Sequence, residues 1–326
     1  MKNFIMLDDK QLQLPSGVFA GAETIARYPG GQLEGVRLSE RNMLVTHAGE
    51  LVPFYSETTR RKNKYSVEFY KSGSVKAVAL EERQEILTPL GEFPAELVTF
   101  YETGELKRFF PLDGKISGFW SEDEERSLAI PFAFELPFGA FTAIIGGVGL
   151  YADGGIRSIT LFPKEVVTLS TRYGAIAARI GFSLHPDGSL ASLEPNEPTA
   201  VKTPIGRLLA YDPNAIGINA DANSLAFDSD GSVTGLVTAR NRIAVQTADG
   251  RLALFRPLEK ASPLDDEATI TVGLRVAFSS DSVTLTEGGG EPRTFSLSDC
   301  GFTVTELENC GFSCSPADCA GCSQCE

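Results

Sequence analysis

A glycine-punctuated unit recurs along most of this chain, and it limits the fold more than any other feature. Five stretches open at a glycine, pass through apolar positions and close at a second glycine: Gly31–Gly49, Gly73–Gly91, Gly154–Gly174, Gly188–Gly206 and Gly231–Gly250. Three residues ahead of each closing glycine stands a threonine: Thr46, Thr88, Thr171, Thr203 and Thr247. Val75, Val78 and Leu80, then Ile86 and Leu87 before Thr88, show the internal pattern: near-alternation, a polar interval, and an apolar run into the turn. Such near-alternation, bounded by glycine, predicts two short strands joined by a polar turn. A third strand precedes the first glycine of most copies, as in Val67–Ser72, Leu97–Thr103, Ile180–Asp187 and Leu225–Asp230. The threonine hydroxyl can bond its own turn backbone, and glycine supplies the positive φ that the turn needs.

A unit of this size cannot bury its apolar face alone, so successive copies must stack. The sequence therefore predicts an all-β repeat array of about six three-stranded Gly-turn units. The sixth copy is degenerate and runs from Gly104 to Gly139, where Leu136-Pro137-Phe138-Gly139 replaces the threonine turn. An extended stacked or meandering sheet is one arrangement, and a β-propeller with blades of about 40–45 residues is the alternative. Helical pattern is confined to short turns at Ser121–Arg126 and Asp265–Ala268. The array is expected over residues 1–257, capping strands over 258–290, and a Cys-rich C-terminal tail over 291–326, with Gly288, Gly289 and Gly290 as a flexible joint. Gly146, Gly147 and Gly149 lack the following lysine and helix of a phosphate loop and read as a bend between strands.

From Phe100 to Trp120 the chain reads FYETGELKRFFPLDGKISGFW, and Tyr70, Gly73 and Val75 carry the same core earlier. With Tyr101, Gly104, Leu106, Gly114, Gly118 and Trp120 in place, this stretch resembles the MORN repeats, especially the bacterial variants with a Tyr-x-x-Gly-x-Leu core. The resemblance implies β-hairpins stacked into an elongated sheet, and a scaffold or binding role more often than catalysis. The chain departs from that family in its longer period, 42 residues from Gly31 to Gly73 and from Gly49 to Gly91, and in its Thr-x-x-Gly half.

The chain carries 29 basic and 43 acidic residues, for a net charge of −14, which repels phosphate backbones and anionic lipid headgroups. Another protein is the expected partner, not nucleic acid, and no membrane insertion is expected. Arg60, Arg61, Lys62 and Lys64 form a basic run that reads as a solvated loop. Residues Met1–Gln13 lack the apolar core of a secretory signal, so the expected location is cytoplasmic. No nucleophile motif accompanies His47 or His185, which read as turn residues, and no catalytic residue is assigned. Acidic turn pairs such as Asp228 and Asp230, or Asp212 and Asp221, fit ordinary Asp-Gly turn chemistry better than a calcium loop.

Chemistry concentrates instead in Cys300, Cys310, Cys314, Cys319, Cys322 and Cys325, all within the last 27 residues. The final three have Cys-x-x-Cys-x-x-Cys spacing, which can aim several thiolates at one ion, and Cys314, Cys319 and Cys322 match part of a plant-type ferredoxin ligand pattern. A zinc or iron–sulfur site, disulfides in an exported or surface bacterial protein, and a free reduced tail are the three open readings. Together these features point to a non-enzymatic binding or scaffold protein with a metal-binding cysteine cluster. The alternatives are an exported protein with a disulfide-stabilised tail and an accessory of a redox enzyme.

Overall fold

A computed structural model describes residues 4–6, 10–14, 16–61, 64–217, 219–262 and 269–307. Their regular structure is almost entirely strand, as the repeat demands, and they divide into two compact units, residues 1–197 with 215–234, and residues 198–214 with 235–326. The first unit holds most of the array.

Two kinds of turn alternate through the first unit. One follows the Tyr-x-x-Gly core, at Tyr28, Tyr70, Tyr101, Tyr151, His185 and Asp228. In each, the glycine N–H donates to the carbonyl of the leading residue, and the leading residue's N–H donates to the carbonyl just past the glycine. These turns join neighbouring strands into one antiparallel meander. Its central strands run in the order Ala22–Arg27, Leu33–Leu38, Val67–Phe69, Val75–Thr88, Gly91–Phe100, Leu106–Phe110, Gly139–Leu150, Ile156–Leu161, Gly174–Leu184, Leu190–Pro195 and Leu225–Phe227. Among the described residues no pairing returns from the last of these to the first, so the meander does not close into a barrel.

The second turn is Thr-x-x-Gly, and it closes a hairpin inserted between successive Tyr turns. Thr46, Thr88 and Thr171 each donate the side-chain hydroxyl to the carbonyl of the glycine three residues on, at 3.0, 2.8 and 2.8 Å. Leu136 and Gly139 close the degenerate copy in the same register without that hydroxyl. Thr247 differs from the expectation: its N–H bonds Arg251 O and Gly250 N–H bonds Thr247 O, the pattern of the Tyr-type turn. The polar interval inside the unit also varies. It is a turn at Phe162–Glu165, but Val75–Thr88 runs through it as one strand of 14 residues.

Where the returning arm of a hairpin becomes the next central strand, the pairing slips in three copies, between Ala95 and Leu97, Ile145 and Gly147, and Arg179 and Phe182. These bulges bend the strand sharply. Gly146 and Gly147 sit at one of them, which is the bend expected there, and Ile180 and Gly181 hold positive φ at another. Bent this way, each hairpin folds back over the central sheet. Its residue two before the turn threonine is buried, as with Leu44, Ile86, Phe134 and Leu169. Phe93 meets Phe109 at 5.1 Å between ring centroids, and Phe138 and Phe141 meet Phe182 at 5.6 and 5.7 Å. The core of this unit therefore lies between the sheet and the layer of hairpins.

One further interaction recurs with the Tyr turns. The hydroxyls of Tyr28, Tyr70, Tyr101 and Tyr151 donate to the carbonyls of Phe69, Phe100, Leu150 and Leu184, at 2.8, 2.8, 2.8 and 2.7 Å. Each acceptor immediately precedes the leading residue of the next turn. His185 takes the tyrosine's place in the fifth turn, with Nε2 3.0 Å from Phe227 O. Burial pushes the Tyr70 and Tyr151 hydroxyls above their ordinary pKa.

The second unit contains the hairpin Thr199–Thr203 with Gly206–Ala210, whose Thr203 hydroxyl bonds Gly206 O at 2.6 Å. Asn241–Gln246 lies between Leu252–Phe255 and Gly301–Glu306. Residues 235–238, Leu274–Phe278, Ser282–Thr286 and Arg293–Ser296 form an antiparallel run, so the segment read as a tail begins with two paired strands. The Gly288–Gly290 joint is an ordered turn closed by Gly290 N–H on Glu287 O at 2.7 Å.

Gly73 and Gly206 have φ of +95° and +124°. Valine at either position should cost about 1–3 kcal/mol, because a β-branched residue is strained there. Gly118 has ordinary φ and open space around it, so Gly118→Val should shift stability by no more than about 0.5 kcal/mol. Thermal melts of the three variants check the contrast.

Candidate functional site

The Thr-turn hairpins do more than cover the sheet. Those of Thr46, Thr88 and Thr171 reach past the next Tyr turn to the one after it. A Cβ built on Gly104 would lie 3.4 Å from His47 Cε1, and one on Gly154 would lie 2.3 Å from Pro89 Cγ. Arg172 NH1 bonds Ser232 Oγ at 2.6 Å and pairs with Asp230 at 3.2 Å. Beside two of these contacts a groove opens. One, of about 310 Å³, is bounded by Val45, Thr46, His47, Val75, Phe100 and Gly104. The other, of about 330 Å³, has an apolar floor of Phe138, Leu190 and Phe227 and a rim that includes Thr171, Arg172 and Asp230.

The two grooves occupy equivalent places in the repeat. Thr46-His47 corresponds to Thr171-Arg172, Val75 to Leu190, and Phe100 with Gly104 to Phe227 with Gly231. Both combine an apolar floor with a few polar rim groups, the composition of a site that holds an apolar side chain and orients it by its surroundings. Sequence reasoning placed His47 correctly on a turn but could not place it beside Gly104, because that contact joins positions 57 residues apart. The sequence signal was the large apolar residue just before five of the six turns, Phe69, Phe100, Leu150, Leu184 and Phe227.

Of the basic run, Lys62 lies outside the described residues, and Arg60, Arg61 and Lys64 do not behave as a solvated loop. Arg61 is 3% exposed, and its guanidinium lies 2.7 Å from Glu96 Oε2 and also bonds Leu80 O. Arg60 contacts Glu96 at 2.6 Å and grips Glu125 through Nε and NH2, both at 2.7 Å. Glu125 also accepts Trp120 Nε1–H at 2.6 Å and Gly114 N–H at 2.7 Å, and Lys64 pairs with Asp113. The reason is the bulge: Glu96 falls at the slip between Ala95 and Leu97, where its carboxylate enters the interior and needs cations.

Burial works against every charge in this group. For Glu96 and Glu125 the arginines outweigh it and hold both carboxyls below their ordinary pKa; for Arg60 the same bonds raise the guanidinium's. At Asp113 burial prevails over Lys64 and pushes the carboxyl up, and its Oδ2 is buried without a partner. A second buried group joins Asp221 to Ser158 at 2.6 Å, to Arg157 at 2.8 Å and to Arg108; burial opposes its ionisation, but these bonds hold its carboxyl below the ordinary value. Asp228 and Asp230 accept Ser232 N–H at 2.9 and 2.8 Å, which is turn closure. Both buried groups are spent on holding loops to the sheet.

Of the predicted metal ligands, Cys300 is half-buried between Arg293–Ser296 and Gly301–Glu306 and forms no disulfide among the described residues. Cys310, Cys314, Cys319, Cys322 and Cys325 lie outside the described residues. Among the described residues no helix is long and apolar enough to cross a membrane. Compared with protein-family models and with curated proteins, the chain matches none.

The buried carboxylates carry a pH signature. Glu96 and Glu125 titrate below 4.5 when folded, so their stabilisation is complete at neutral pH and is lost as pH falls from that value through the depressed ones. Asp113 has the opposite sign, since its folded pKa lies above 3.8, and its contribution falls as pH rises from there. Glu125→Gln should cost about 3 kcal/mol at pH 7, because it leaves Arg60 short of charge in a buried site. That deficit should shrink toward pH 3 in urea titrations. An equal deficit at both pH values would contradict the ion pairing.

Proposed function

We propose that this chain is a non-enzymatic binding or scaffold protein whose array holds apolar side chains of a protein partner in repeat-equivalent grooves. The observation that carries the reading is the recurrence of one groove at two equivalent repeat positions, each built from a hairpin tip, the residue two past a turn glycine, and a Tyr-type turn. Recurring, similarly lined sites suit an extended ligand that repeats its own anchors, and repeat arrays characteristically present such surfaces. The tyrosine bonds add rigidity, and a preorganised surface loses less entropy on binding. The MORN resemblance of residues 67–120 agrees with this role.

Selection of short random peptides displayed against the full chain tests it. Enriched peptides should carry an apolar anchor, and Val75→Trp or Leu190→Trp, which fill the two grooves, should weaken them at least roughly tenfold. Peptides insensitive to both substitutions would overturn the reading.

The cysteine cluster completes the proposal as a metal site, supported by its spacing and by the absence of apolar residues that could give residues 313–325 a core of their own. Metal analysis with thiol counting on the purified chain should find bound zinc or iron and thiols that react only after chelation. Six freely reactive thiols without metal would remove this part and leave the groove reading standing.

A further inference from the structure

The connection after Leu106–Phe110 presents a combination that neither the grooves nor the fold requires. Four large apolar side chains within it face solvent: Ile116, Phe119, Leu128 and Ile130, exposed by 54, 78, 40 and 44%. Scattered exposed apolar residues are ordinary. What distinguishes this segment is how firmly it is held while it exposes them.

Phe119 lies in a tight turn, with Ser117 N–H bonding Trp120 O at 2.8 Å and Phe119 N–H bonding Ser117 Oγ at 3.2 Å. The turn is fastened on both sides to one buried carboxylate, since Glu125 accepts from Trp120 Nε1 after it and from Gly114 N before it. Gly114 has no room for a side chain, because a Cβ there would fall 1.9 Å from Glu125. Glu125 is in turn clamped by Arg60, and the helix Glu122–Ser127 that carries it has a full capping box between Ser121 and Glu124. The segment thus spends buried charge on fixing a backbone whose tip is a phenylalanine in open water. A fixed aromatic anchor is what a binding hot spot needs, because its ordering entropy is already lost before the partner arrives.

The charge beside the tip selects the partner. Glu122, Asp123 and Glu124 follow it directly, and among the described residues only Lys164, at 3.5 and 3.8 Å from Glu122 and Asp123, pairs with them. With a net charge of −14 behind it, this face is repelled by anionic lipid and favours a cationic rim. We infer that Phe119, with Ile116 exposed in the same connection, is an anchor that inserts into an apolar pocket of a partner protein, and that lysine or arginine residues rim that pocket and meet Glu122 and Asp123. This surface is separate from the grooves, so the two assignments stand or fall independently.

The test places the photo-crosslinking residue p-benzoylphenylalanine at position 119 of the full chain and irradiates it with an extract of the source cells. The crosslinked peptide is identified, and the partner is then purified for direct binding. The expected adduct is a protein pocket lined by apolar residues with lysine or arginine at its edge. Binding of the pure partner should fall at least tenfold with Phe119→Ala, severalfold with Glu122→Gln/Asp123→Asn, and further as salt is raised. Phe119→Ala should leave the melting temperature unchanged, and Val75→Trp should leave the adduct unchanged. An adduct with lipid, with another copy of this chain or with an uncharged or acidic surface would overturn the inference, as would no adduct. A marked drop in melting temperature for Phe119→Ala would also overturn it, by showing that the ring serves packing.

Discussion

The array depends on one bond repeated with a fixed offset: an aromatic hydroxyl on one turn donates to the backbone carbonyl that leads into the next. A strand meander is held laterally by its ladder hydrogen bonds, and the face buried under the hairpins sets its register. The tyrosine bond reinforces that register, since it ties a side chain of one unit to a particular backbone atom of the following one. It also explains why the leading position accepts histidine at residue 185, which can donate from the ring at nearly the same reach. Each such bond contributes only about 1 kcal/mol. Its value lies in repetition and direction, because every unit is positioned by the one before it.

The hairpins add a second offset. By folding back over the sheet and laying their tips on the turn two units on, they couple units that the tyrosines do not join directly. The fold-back needs the bulges, and a bulge has a chemical consequence, because it removes a residue from the paired register and re-aims its side chain. In the copy with Ala95 and Leu97 that residue is Glu96, and the buried arginines 60 and 61 follow from it. An ion cluster that looks unrelated to the repeat is therefore a product of the repeat's geometry.

The all-β class and four of the five Thr-x-x-Gly turns were legible in the sequence, because turn chemistry is local and glycine at positive φ leaves few alternatives. The tyrosine ladder was visible only as residues, since Tyr28, Tyr70, Tyr101 and Tyr151 recur but their acceptors lie up to 49 positions away. The basic run was misread for the same reason: Glu96 and Glu125 are distant in sequence, and charge without its partners looks like a solvated surface. Thr247 was misplaced because Thr-x-x-Gly and Tyr-x-x-Gly share their glycine, and the spacing alone does not separate a threonine that bonds the glycine's carbonyl from one that takes the tyrosine's place. The grooves were not legible at all, being the gap between two elements that meet only after the fold-back.

The ladder also carries its own stop. Asp228 stands where a sixth aromatic would continue it, and the turn it leads is otherwise complete, with Gly231 N–H on Asp228 O at 2.9 Å. Its carboxylate oxygen is instead turned inward to accept the N–H groups of Asp230 and Ser232. The positional relay therefore ends there, six residues before the first compact unit ends at Thr234. Replacing one donor by an acceptor keeps the turn and breaks the succession.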